Sequence, residues 1–137
     1  MDLALNMLEA VMTNLARHKQ VYLVLDNPVG DGYGPEEFIK GGRLGDMKVA
    51  RMSPSAPWTP VQKELHERMR QIAKRSGAIV IDPIPTLCKN DQCTRADADA
   101  TPIYKDSGHL RAEYVRQYAT YIDVAMTTQK QPAAVGR

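Results

Sequence analysis

The segment Tyr104-Lys105-Asp106-Ser107-Gly108-His109-Leu110 carries the residue types best spaced for chemistry. An aspartate three positions before a histidine, with a glycine between them, lets one tight turn hold both side chains. The carboxylate can then accept a hydrogen bond from one ring nitrogen and leave the other facing outward as a base, the orienting role of the acid in a serine-type triad. On spacing alone, a histidine at the start of a helix is more often a surface or capping residue. The nucleophile that such a base needs is missing. Ser53, Ser55, Ser76 and Ser107 stand in neither a Gly-Asp-Ser nor a Gly-x-Ser-x-Gly setting. Ser107 is wedged between acid and base, a poor geometry for attack. Loss of a triad nucleophile costs orders of magnitude in rate, so the isolated chain is expected to be a poor enzyme or none.

Other residues admit chemistry with plainer alternatives beside it. Cys88 and Cys93 read as free buried thiols, or as a disulfide closing a short loop worth about 2 kcal/mol on the loop-entropy model, and composition does not choose. Zinc would need more ligands than these two and His109, so neither a metal nor another cofactor is expected. Gly30-Asp31-Gly32-Tyr33-Gly34 after a strand has the look of a phosphate loop, but Glu36 and Glu37 would occupy the first turn of the following helix and repel phosphate. A flexible turn is the expectation there. Asp26 and Asp82 both end strands and could approach a site, although capping or turn formation accounts for each. His18 suits a helix C-terminus, His66 lies among charged residues and is expected to be solvated, and Trp58 is placed to staple the helix after it.

The elements that would position these groups follow from periodicity. Leu8, Val11, Met12 and Leu15, with Ala4 before them, fall at the spacing of one helical face, and Arg17, His18 and Lys19 close that helix where the macrodipole favours positive charge. Val21–Leu25 is a short apolar strand stopped by Asp26-Asn27-Pro28, expected to be covered on both faces as in parallel sheets. Residues 29 to about 57 read as one long irregular segment with at most a helical turn near Glu36–Lys40. Thr59-Pro60-Val61-Gln62 is a strong helix start, Val61, Leu65, Met69, Ile72 and Ala73 make its buried stripe, and Gly77 ends it. Ala78–Ile81 is a second buried strand stopped by Asp82-Pro83. A second irregular stretch runs from Ile84 to about Lys105. A last helix begins near Leu110 with Val115, Tyr118, Ala119 and Ile122 on one face, and a disordered tail is expected over 127–137. Helices alternating with buried strands argue for a doubly wound α/β sheet. Two strands are few for it, so the sheet is expected to be cut short on its N-terminal side.

Composition narrows the function. A hydrophobic fraction of 43% with 25% charged residues is ordinary for a globular domain. A net charge of +2 with scattered basic residues argues against nucleic acid as a partner. No run approaches the roughly 18 apolar residues of a membrane span, and the acid at Asp2 does not fit a signal peptide.

The strings Val80-Ile81-Asp82-Pro83, Leu87-Cys88 through Cys93, and Ile103–Leu110 resemble the end of the SGNH domain attached to membrane acyltransferases of the acyltransferase-3 family. The match extends loosely upstream through the Val21–Leu25 strand and Pro28. The resemblance implies a three-layer αβα, SGNH/flavodoxin-like parallel sheet, with residues 1–126 as its C-terminal portion. It implies Asp106 as triad acid and His109 as base, a Cys88–Cys93 disulfide, and a place on the periplasmic face of a bacterial inner membrane. It implies a carbohydrate or acyl-ester substrate and an N-terminal acyltransferase membrane domain as partner, with the nucleophilic serine supplied from elsewhere. Arg111 stands where the family often has serine, beyond the triad. Two alternatives stay open: a non-catalytic α/β binding module, and a cytosolic nucleotide-binding domain whose cysteines would be free thiols.

Overall fold

The structure, a computed structural model, describes residues 2–41, 45–46, 48–49 and 53–127. The chain runs α1 (Asp2–Ala16), β1 (Tyr22–Val24), a 3-10 turn (Pro35–Phe38), β2 (Ile39–Lys40), β3 (Lys48–Val49), β4 (Ser55–Pro57), α2 (Pro60–Ser76), β5 (Ile79–Ile81), α3 (Ile84–Leu87), β6 (Cys88–Lys89), β7 (Gln92–Thr94), α4 (Ala112–Tyr118), a second 3-10 turn (Thr120–Ile122) and α5 (Val124–Thr127). The fold is α/β, and its central pair, β1 with β5, is parallel, with Leu23 opposite Val80. The expected tail beyond Thr127 lies outside the described residues.

One core joins the helices to the parallel pair. Met12 of α1 and Ile72 and Ala73 of α2 are buried, and Leu5, Leu8, Val21, Leu23, Ala78 and Val80 pack around them. Burying a side chain the size of Ile72 or Met12 contributes about 1.5–3 kcal/mol. At the surface Arg75 reaches across to Glu9 with two bonds of 2.7 Å. Side chains of a strand alternate between faces, so Tyr22, Val24, Ile79 and Ile81 point away from the helices. Coverage of that second face is only partial: Ile81 is buried, whereas Val24 and Ile79 are 47% and 37% exposed. Burial of both faces, expected from the apolar run, therefore holds at Ile81 alone of these three.

The buried face of α1 also differs from expectation. Met12 is buried, but Val11 and Leu15 are exposed together with Leu3 and Met7. The helix carries two apolar stripes, and the one continuing through Leu5 and Leu8 is the one that packs.

The two segments expected to be irregular hold a second core. β4, β7 and β6 form an antiparallel sheet, and β6 and β7 are joined by a two-residue turn with Asn90 and Asp91 at φ 50° and 61°. Positive φ at both central residues matches the twist of a tight hairpin. Cys88 and Cys93 sit opposite each other across this hairpin and form a disulfide. Tyr33, Ala56, Leu87, Cys93, Ile103 and Tyr104 are buried here. The Tyr33 hydroxyl donates towards the carbonyls of Ala56 and Pro57, each at 3.3 Å. These bonds tie the glycine-rich loop to the second core, and Arg95 adds to them by donating to the carbonyls of Gly32 at 2.6 Å and Ser53 at 2.7 Å.

The last helix is shorter than its apolar spacing predicts. It leaves α geometry at Ala119, where ψ is 44°, and the chain tightens into the 3-10 turn. Ala119 is buried, but Val115, Tyr118 and Ile122 are 40%, 46% and 44% exposed.

Candidate active site

Asp106 and His109 occupy a turn closed on both sides by β-type pairing. Tyr104 bridges Leu110, the Lys105 amide donates to the His109 carbonyl at 2.9 Å, and the Arg111 amide donates to the Ile103 carbonyl at 2.8 Å. Tyr104 is fully buried and Leu110 packs against the same core, so the base of the turn is anchored while its tip stays at the surface.

Within the turn, Asp106 Oδ1 accepts from the amides of Gly108 at 2.9 Å and His109 at 2.8 Å. The His109 ring completes the set, with Nδ1 at 2.9 Å from Oδ1 and 3.0 Å from Oδ2. The Gly108 amide, followed by the His109 ring, holds the Asp106 carboxyl well below its ordinary range, at about 2. An ionised carboxylate only accepts hydrogen bonds, so Nδ1 carries the hydrogen. In the neutral ring Nε2 then bears the lone pair, and among the described residues it has no partner. The His109 side chain is 73% exposed, which leaves that lone pair open to a reactant.

The segment after β1 clips this turn into place. Asn27 Nδ2 donates to the Gly108 carbonyl at 3.1 Å, and the Gly30 amide donates to the Ser107 carbonyl at 2.8 Å. Helix α2 steadies the clip in turn, because Gln62 Nε2 donates to the Val29 carbonyl at 3.0 Å. The turn therefore sits beyond the carboxyl ends of β1 and β5, the usual place for a site in an open α/β sheet. Neither Asn27 nor Gly30 is evident as a site residue from sequence. The only local signal is an Asn-Pro pair stopping a strand, which reads as a turn.

Other candidates fall elsewhere. Asp82 Oδ1 accepts from the Ile84 amide at 2.9 Å, and its other oxygen meets Arg70 at 2.6 Å, so it caps α3 and pairs with α2. Asp26 is exposed. His66 is 3% exposed and not solvated as expected, because Trp58 packs edge-on against it at 5.3 Å between ring centres. Trp58 is indeed the staple on α2. Burial pulls the His66 imidazole below its usual range, against the opposing pull of the Asp82 carboxylate. His18 is exposed just past the end of α1.

Among the described residues no serine hydroxyl bonds to His109. The Ser76 hydroxyl donates to the Ala73 carbonyl, Ser53 and Ser55 face each other near Gln92, and Ser107 offers only its carbonyl, to Gly30. No group of three or more His, Cys, Asp or Glu side chains could hold a metal, and no helix is long and apolar enough to cross a membrane, both among the described residues.

Comparison with known families finds one model, described as the SGNH domain (fused to AT3 domains), that matches residues 2–123. No curated protein and no solved structure matches the chain.

Proposed function

This chain belongs to the family of SGNH domains found fused to AT3 domains, and from that membership we propose that Asp106 and His109 serve as acid and base of a serine-type acyl-transfer site acting on carbohydrate. The family makes it an esterase/acyltransferase-like domain. The observation that carries the finer reading is the two-oxygen grip of Asp106 on His109 Nδ1, which fixes the tautomer and leaves Nε2 outward.

In this reading a serine from outside this sequence stands at Nε2. Its hydroxyl proton passes to Nε2 as its oxygen bonds to the acyl carbon, and His109 returns that proton to the departing group. A sugar hydroxyl or water then gives its proton to Nε2 as its oxygen bonds to the acyl carbon, and His109 passes that proton to the serine oxygen as the acyl–serine bond breaks. Asp106 remains ionised throughout and stabilises the imidazolium that forms at each step. An acyltransferase membrane domain is the natural partner, and the disulfide supports a periplasmic setting, since such bonds persist in oxidising compartments.

The test is acetyl-ester hydrolysis by this chain joined to a serine-bearing segment. His109→Ala is expected to lower the rate by on the order of a thousandfold or more. A variant as active as the parent overturns the assignment. A second reading, a carbohydrate-binding module without catalysis, draws support from the lack of a serine at His109. It expects glycan binding, and no hydrolysis from any such joined protein.

A further inference from the structure

Helix α1 turns an uncharged face to solvent. Leu3, Met7, Val11 and Leu15 follow one another at four-residue steps and are 75%, 62%, 57% and 48% exposed. Ala4, Asn6, Ala10 and Asn14 beside them are exposed as well. Glu9, the one charged residue between Leu3 and Ala16, is drawn to the α2 side by Arg75. A helix face left to water ordinarily carries charged side chains, and a contiguous apolar patch marks an interaction site. We infer that this face joins two copies of the chain, whose α1 helices pack antiparallel across a two-fold axis.

The stripe is complementary to itself. From Leu3 to Leu15 it runs about 18 Å along the helix, with its midpoint between Met7 and Val11. Turned end for end, Leu3 meets Leu15 and Met7 meets Val11. Each side chain is then contacted in return by the residue it contacts, the condition for a closed two-fold pair. Ala10, close to the midpoint, sets a small side chain near the crossing, where packed helix axes approach to about 8–10 Å.

Charge sets the direction. Asp2 opens α1, Arg17, His18 and Lys19 follow its end, and all four are exposed. Antiparallel packing brings the acid of each copy to the basic end of the other and opposes the two macrodipoles. Parallel packing would set the two basic ends together. Asp2 also meets Arg68 of α2, but its side chain is 82% exposed, and a carboxylate can accept from a second cation.

A membrane surface fits this face less well. Helices that lie in a bilayer interface border their apolar side with lysine and arginine. Here the border is Asn6 and Asn14, and the basic residues come only after Ala16.

A single helix pair is a small interface, below about 1,200 Å² in total, the size of weak and transient complexes. Sedimentation equilibrium of the 137-residue chain is expected to show monomer passing into dimer with a dissociation constant of about 50 μM. Met7→Lys and Val11→Lys should each weaken the dimer by about twentyfold or more. Both side chains are exposed in the monomer, so the fold is retained, which circular dichroism checks. Leu3→Cys and Leu15→Cys proteins, mixed and oxidised, should cross-link to each other in preference to themselves. The inference is overturned if the chain stays monomeric at about 500 μM, if both lysine variants dimerise like the parent, or if assembly continues past the dimer. Leu3→Cys cross-linking to itself as readily as to Leu15→Cys overturns the antiparallel pair. Binding of a monomeric chain to phosphatidylcholine–phosphatidylglycerol vesicles, lost in Val11→Lys, would assign the face to a membrane and overturn the inference too. None of these readings involves His109, so a failed dimer and a failed catalytic assignment are told apart.

Discussion

Asn27→Ala tests whether the end of β1 holds the acid–base turn. The side chain donates to the carbonyls of Pro28 and Gly108, each at 3.1 Å, and alanine removes both donors. The Gly108 bond is the one that links the two segments. A hydrogen bond of this kind contributes about 1 kcal/mol net. The Gly30–Ser107 bond at 2.8 Å survives, so the turn loosens without detaching. A change of about 1 kcal/mol is about fivefold in an opening equilibrium. The amides of Gly108 and His109, which donate to Asp106, should therefore exchange with deuterium about fivefold faster, as a local opening. The melting temperature should fall by about 4 °C for a domain of this size. Asn27→Asp removes the same donors and sets a second carboxylate beside the turn, so its effect should be larger. Native-state hydrogen exchange by NMR reads each amide separately. Unchanged exchange at Gly108 and His109 in Asn27→Ala would refute the clip.

The Asp106 carboxyl should titrate at about 2 in the folded chain against an ordinary 3.8. Because the folded value is the lower one, its contribution to stability is present above pH 4, fades between about 4 and 2, and is lost below. Carbon-13 NMR of the carboxyl checks the midpoint, and a native value near 3.8 would contradict the hydrogen-bond pattern. Replacing Cys88 and Cys93 with alanine should cost about 2 kcal/mol, from the loop-entropy term alone, and lower the melting temperature by about 8 °C. Urea denaturation measures it, and a midpoint equal to the parent's would show that the hairpin does not depend on the cross-link.

Features set within a few residues were legible in the sequence. The start of α2 is one: the Thr59 hydroxyl accepts from the Gln62 amide at 3.3 Å, as the spacing of Thr, Pro and Gln foretells. Its end is another, with Gly77 at φ 78°, where a side chain would be strained. The Asn90-Asp91 hairpin was open to the same reasoning, but its strands are so short that no alternation announced them. The faces of α1 were not legible, because Leu3, Met7, Val11 and Leu15 repeat at helical spacing just as Leu5, Leu8 and Met12 do. Periodicity identifies a helix and leaves its orientation to whatever packs on it. His66, set among charged neighbours, gave no sign that Trp58 would cover it.

The candidate site divides along the same line. Sequence by itself determined that Asp106 can hold His109, since the gripping atoms belong to one turn whose dihedral angles nearly fix their distance. Only tertiary structure decided that Asn27, 81 positions away, and Gly30 would hold that turn. Those contacts form between segments brought together by the burial of Tyr33, Tyr104 and Leu25, and the hydrophobic effect that buries them is non-directional. It leaves no local spacing from which the partner of a distant hydrogen bond could be read.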